Sequence, residues 1–193
     1  MNPERREYYR ISENVSLDFQ VISEQEMQAS SLPTQFKVSP FFTLLSQLQE
    51  LDTDTTHLLR KIAQKDPAMG TFLEVTTNKI DAIAKTIASH GIEFDDIQTQ
   101  EINLSEGGLS FDTQRQVNSG EYLALKLVFQ EACIGLLLYG KVLYSTANED
   151  DSGSSNIGIQ FFRMPESSRM IIARHIIALQ SKELQLQGNI DLD

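Results

Sequence analysis

Cysteine is almost absent: Cys133 is the single one in 193 residues. No disulfide can form within the chain, a reducing compartment is its simplest home, and Cys133 reads as a small buried hydrophobe. Cationic residues are scarce too, with 16 Lys and Arg against 27 Asp and Glu and a formal net charge of −11. That balance argues against DNA or RNA as partners, because they need an extended basic surface. Long hydrophobic runs are also missing. No early apolar stretch of the signal-peptide kind occurs, and the longest apolar segments are broken by polar residues or glycine well short of a membrane span. The expectation is a cytoplasmic protein without membrane insertion.

Catalytic chemistry is equally poor. His57, His90 and His175 fall on separate predicted helices or helix ends, with no Cys or carboxylate at metal-ligand spacing, so no metal is expected. There is no Gly-x-Ser-x-Gly elbow and no Walker loop, and Gly107 and Gly108 lack the strand-loop-helix context of a dinucleotide fold. The paired acids Asp95-Asp96 and Asp150-Asp151 read as solvated loop charges. Neither an enzyme nor a bound cofactor is expected.

The apolar residues that are present, within a chain 40% hydrophobic, are ordered in two periods. Val15, Leu17, Phe19 and Val21 alternate with polar residues, the pattern of a strand with one buried face. Residues 23–38 read as a connector. Ser39-Pro40 then supplies an N-cap and a proline at the first helical position. Leu44, Leu48, Leu51, Thr55, Leu58 and Ile62 come next at alternating steps of four and three, the spacing of a coiled-coil seam. Asp66-Pro67 breaks the series, since proline disfavours helix before it and Asp66 can cap a new helix started by Pro67. Met69, Leu73, Thr76, Ile80, Ile83 and Ile87 form a second series, with His90-Gly91 as its stop. Two helices are expected, their stripes facing either each other or other subunits.

Strand-like patterns return in residues 109–111, 122–129, 134–144 and 157–162, with an Asp/Ser/Gly-rich loop over 148–156. In 122–129 one strongly apolar face is expected. Pro165 opens a final helix in which Met170, Ile171, Arg174, Ile177, Ala178 and Leu184 make an amphipathic stripe, expected to cover a barrel opening.

Two polar stretches stand apart. Asn103 to Gly108, Asn-Leu-Ser-Glu-Gly-Gly, sits between apolar strand-like residues; its short polar side chains can donate and accept, and its glycines admit positive φ or close approach. By itself it reads as an ordinary β-turn. Arg5, Arg6 and Arg10 lie close together in an acidic chain. A guanidinium can pair with phosphate or the O6/N7 edge of guanine and can stack on a base, as an ammonium does less well. By itself this stretch reads as a solvated N-terminal arm.

Together, Arg6-x-x-x-Arg10 and Asn103-x-Ser105-x-x-Gly108, in that order and each beside a predicted strand, resemble the two-part motif of PilZ domains. The likeness continues through Gly120-Glu121, the later strands and the closing helix; it departs from the usual pattern in the long interval between Arg10 and Asn103. The resemblance implies an α+β fold: a six-stranded antiparallel β-barrel with a C-terminal helix and an inserted pair of long helices. Residues 1–38 would hold the arginine arm, first strand and connector, 39–91 the helical insertion, and 92–193 the rest of the barrel and its helix.

The resemblance also implies a cyclic di-GMP receptor or adaptor. Arg6 and Arg10 would meet guanine edges and phosphates, Arg5 would add charge or stacking, Asn103 and Ser105 would hydrogen-bond the ligand, and Gly107 and Gly108 would leave it room. The chain resembles PilZ proteins of the tetrameric type, whose inserted helices carry heptads, so Leu44, Leu48, Leu51, Leu58, Ile62, Met69, Leu73, Ile80, Ile83 and Ile87 are expected to join a dimer or tetramer. A downstream protein partner is implied but not identified. The alternative is a PilZ-like oligomeric adaptor that binds no nucleotide and acts through protein contacts.

Overall fold

The computed structural model describes residues 9–95, 99–148 and 153–190. Six strands close into one antiparallel barrel: β1 (Ile11–Ile22), β2 (Thr99–Ser105), β3 (Gly108–Thr113), β4 (Tyr122–Phe129), β5 (Ile134–Ala147) and β6 (Ser155–Phe162), in the order β1-β2-β3-β6-β5-β4. Closure leaves no free sheet edge. The alternating residues of β1 explain its place: Val15, Leu17 and Phe19 point inward to join Leu104, Phe111, Leu125, Leu138 and Ile157 in the main core, whereas Val21, expected on the same buried face, is exposed and Ile22 is buried in its stead, outside the barrel. Phe19 and Phe111 meet at 5.3 Å between ring centroids.

Helix α4 (Glu166–Ile190) seals one end of the barrel, but not with the expected stripe. Ile172 and Ile176 enter the core, partly buried Ile171 and Leu179 pack against it, and Met170, Ile177 and Leu184 are exposed. The adjacent isoleucine pairs 171-172 and 176-177 fit either register. His175 selects the observed one: it is buried, lies 4.7 Å from the Phe129 ring and meets Glu13 Oε2 through Nε2 at 2.6 Å.

The connector after β1 contains a short helix, α1 (Glu24–Ala29), started by a capping box in which Ser23 Oγ accepts from the Glu26 N–H and the Glu26 carboxylate accepts from the Ser23 N–H. The signal was present as Ser23-x-x-Glu26. This connector covers the outer face of β4 and β5, where Ile22, Met27, Phe36, Ala124 and Tyr139 form a second core. The Tyr139 hydroxyl donates to Leu32 O at 2.9 Å, and burial pushes its pKa up.

Helix α2 (Pro40–Lys65) starts where expected, with Ser39 Oγ accepting from the Phe42 N–H. Its first turns lie on β5, packing Phe42 and Leu45 against Val128 and Cys133. Consequently β4 is covered on both faces rather than one: even Lys126 is buried, its ammonium 5.3 Å from the Phe42 ring centroid. Asp66 ends α2 and caps α3 (Pro67–Asp95) by accepting from the Met69 N–H at 3.0 Å. At the hairpin tip a Cβ on Gly70 would lie 2.6 Å from Ala63 Cβ, so glycine permits this close crossing. His90-Gly91 does not stop α3, which continues to Asp95. Glycine ends a helix when it takes a left-handed conformation; inside one it carries only a modest penalty.

Candidate functional site

The Asn103 to Gly108 stretch forms the β2–β3 hairpin, with Ser105 paired to Gly108 across a two-residue turn. Of the two roles the sequence allows these glycines, positive φ is taken by neither Gly107 nor Gly108. Gly108 is required for a different reason. A Cβ there would fall 2.0 Å from the Ile159 carbonyl oxygen, so the missing side chain admits strand β6. Gly107 O accepts from the Phe161 N–H at 2.9 Å, tying the turn to the same strand. The Ser105 hydroxyl is buried and donates to Gly108 O at 3.0 Å, which closes the hairpin from within.

Asn103 differs from Ser105 in remaining partly exposed on the outer wall of the barrel. The pairing of Ile11 with Leu104 brings the residue before β1 to this hairpin. Arg10 Nη1 thus donates to Asn103 Oδ1 at 3.4 Å, joining one residue from each motif. Arg5 and Arg6 lie outside the described residues.

Below Asn103 the barrel wall carries a shallow pocket of about 170 Å³, lined by Ser12, Glu101, Asn103, Ser110, Asp112 and Asn156 among others. The registers explain this grouping: Ser12 pairs with Asn103, Asn103 with Ser110, and Asp112 with Asn156. Asn156 Nδ2 donates to Asp112 Oδ1 at 2.7 Å. The pocket is therefore an array of donors and acceptors with two carboxylates, and Arg10 stands beside it through Asn103. Glu101, Ser110, Asp112 and Asn156 were not singled out from the sequence, where they are ordinary polar positions on strands; only the registers bring them together.

The heptad residues divide. Leu44 and Leu48 are partly buried near the barrel, and Leu73 is partly buried on α3. Leu58, Ile62, Met69, Ile80, Ile83 and Ile87 are exposed, joined by Phe72 and Val75. The side chain of Leu51 lies outside the described set. The hairpin thus leaves much of its apolar stripe uncovered. No described helix is long and apolar enough to cross a membrane, and the described residues contain no group of three potential His, Cys, Asp or Glu metal ligands.

Residues 83–178 match the family model of the PilZ domain. No curated protein matches the chain. Among solved structures, a pathogenic protein from Xanthomonas campestris, described as a tetrameric PilZ domain self-assembled via an unusual helical bundle, aligns with a TM-score of 0.54 at 15% identity. The alignment covers 93% of this chain and 90% of that one, and at this identity it establishes the likeness of fold.

Proposed function

Since this chain is a PilZ-domain protein, of a family that comprises cyclic di-GMP receptors, we propose that it is a non-catalytic receptor which binds cyclic di-GMP between its arginine arm and the β2–β3 hairpin. The observation that carries this reading is the Arg10–Asn103 contact, which joins the two halves of the motif on one exposed face. Arg6 and Arg10 serve as guanidinium ligands for guanine O6/N7 and phosphate, with Arg5 adding charge or stacking. Asn103 hydrogen-bonds the ligand, while Ser105, Gly107 and Gly108 hold the corner on which it rests. The carboxylates of Glu101 and Asp112 suit the N–H donors of a guanine edge. Adenine lacks guanine's 2-amino donor, so this pocket favours guanine.

The second half of the proposal is self-association through α2 and α3. Its support is the exposed stripe from Leu58 to Ile87, together with the helical bundle that assembles the Xanthomonas protein of like fold. A second copy of the same stripe is the occupant that such a seam fits. The arginines of the arm concentrate positive charge at one place in an otherwise acidic chain, and the setting proposed for the encounter with the ligand is cytoplasmic. Ligand that orders the arm then changes what the assembled barrels present to a protein partner, provided its affinity differs between the two arm states.

Titration calorimetry with cyclic di-GMP, using GTP and cyclic di-AMP as controls, tests the receptor half. Saturable heat with cyclic di-GMP alone is expected. No heat with it, alongside an intact oligomer, would replace the receptor by the non-binding adaptor.

A further inference from the structure

The carboxylate end of the wall pocket is built around one fixed pair. On β3, Asp112 stands two residues beyond Ser110 and so shares its outward face, one step along the strand from the row that contains Asn103. Asn156 lies opposite it on β6. The Asn156 amide donates through Nδ2 to Asp112 Oδ1 at 2.7 Å, and because a carboxylate only accepts, this bond also fixes which way the amide points. Two acceptors remain on the pair, Asp112 Oδ2 and the Asn156 side-chain carbonyl, neither with a hydrogen-bond partner among the described residues. The second carboxylate is held less firmly. Glu101 has the longer side chain and no hydrogen bond or ion pair among the described residues, so ordering it against a ligand costs more rotamer freedom.

The pocket is also polarised. Arg10 stands at its Asn103 end, and no lysine or arginine is among the residues that line it. A phosphodiester is repelled by the carboxylate end, so the part of a nucleotide that suits it is a base edge carrying N–H donors. Two residues along a strand, about 7 Å, separate the two ends, an interval that a purine spans. Guanine fits both ends at once: its N7 and O6 acceptors match a guanidinium, and the N1–H and 2-amino donors of its neighbouring edge match a carboxylate. Adenine presents N1 as an acceptor on that edge and meets acceptor with acceptor. Hypoxanthine keeps the N1–H but lacks the 2-amino group.

We infer that Asp112 is the specificity-determining residue of the nucleotide site, accepting from guanine N1–H and the 2-amino group, and that Asn156 is the positioning residue that holds it. The inference rests on the receptor reading above and deepens it by separating two jobs. The arginines supply affinity for phosphate and for an N7/O6 edge, whereas Asp112 decides which purine is kept. Of the two pocket carboxylates, Glu101 takes no part in that choice. The ligand also gains a direction on the wall, with a base edge toward Asp112 and its phosphates toward Arg10.

Calorimetry on the whole chain with cyclic di-GMP and cyclic di-IMP, whose bases differ only in the 2-amino group, reads the choice directly. The unsubstituted chain should prefer cyclic di-GMP by about tenfold or more, the size of a hydrogen bond to a charged group. Asp112→Asn keeps the shape but can turn a donor toward the 2-amino group, so the preference should fall to within about twofold. Asn156→Ala should narrow it part-way, and Glu101→Gln should leave it unchanged. A merely structural role predicts a different pattern, in which both ligands weaken together and Tm falls while the ratio between them stays intact. No preference in the unsubstituted chain, or an intact preference in Asp112→Asn, overturns the assignment of Asp112 and leaves the receptor standing. A preference that vanishes in Glu101→Gln overturns it as well, by moving the choice to the other carboxylate. No binding of cyclic di-GMP by the unsubstituted chain overturns both.

Discussion

Arg10 Nη1 lies 3.4 Å from Asn103 Oδ1, although 93 positions separate the two residues in the chain. Their neighbours Ile11 and Leu104 are paired between β1 and β2, so the contact arises from barrel register rather than from a chance meeting of long side chains. Arg10→Ala should weaken cyclic di-GMP binding by about 1.5–3 kcal/mol, the range for a hydrogen bond to a charged group. Arg10→Lys should recover only part of it, because an ammonium keeps the charge but loses the planar fork. Calorimetry on both variants checks this, and equal affinity in all three proteins would remove Arg10 from the site.

Gly108 is a requirement of the barrel before it is a requirement of the ligand. The Ile159 carbonyl that an added Cβ would strike is backbone of the neighbouring strand and cannot rotate away. Gly108→Ala should therefore cost about 3 kcal/mol of stability. A lowered midpoint in urea denaturation is the expected result, and a midpoint equal to wild type would show that β3 and β6 separate freely here.

The lid helix is held by a polar contact at its apolar seat. His175 and Glu13 meet at 2.6 Å with side chains 6% and 15% exposed. Truncation by Glu13→Ala should leave the imidazole without its partner under α4 and cost about 1–3 kcal/mol. Hydrogen exchange should then quicken in α4 before it does in β4 or β5. Uniform exchange across the chain would mean that lid and barrel open as one unit.

The turn before β4, whose Ser119, Gly120 and Glu121 hydrogen-bond to Val142 and Leu143 of β5, carries a pH dependence. Backbone and side-chain hydrogen bonds from Asn118 hold the Glu121 carboxyl below its ordinary pKa. A depressed acid stabilises the fold above its unfolded pKa, and that contribution fades as pH falls through the folded value. Glu121→Gln should thus lower Tm slightly at neutral pH, with the difference from wild type shrinking as pH falls below about 4. Thermal melts across that range decide it; a constant difference would detach the carboxylate from the turn.

Self-association has an equally direct measure. Ile80 is 51% exposed in the single chain. A glutamate in its place puts a charge into any seam built from this stripe, so Ile80→Glu should lower the mass seen by light scattering without lowering Tm of the barrel. An unchanged mass would exclude Ile80 from the seam.

Much of this architecture is legible from local chemistry. Alternation in β1 as far as Phe19, the Ser39-Pro40 start and the Asp66-Pro67 break each specify a local geometry that the fold keeps. What escapes reading depends on distant partners. Lys126 looks like a solvated residue until α2 covers it, and β4 looks one-sided for the same reason. His90-Gly91 resembles a stop, but glycine terminates a helix only if the chain turns there, which composition alone does not determine. The register shift between Val142 and Tyr144 in β5 breaks an alternation that a sequence can only extrapolate, so that Leu143 and Tyr144 are both exposed. The pocket polar residues are anonymous for the plainest reason: they come from four different strands.

The helical hairpin is inserted between β1 and β2, which are neighbours in the barrel, and among the described residues it is fastened to the wall near its base, where Phe42, Leu45 and Ala84 cluster with Val128 and Cys133. Its outer reaches are thereby released from the geometry of the ligand face. Adding one heptad to each helix would carry the tip outward by about 10 Å; in the proposed assembly this would reset the distance between barrels while leaving every strand pairing in place, so that reach and recognition can be altered separately.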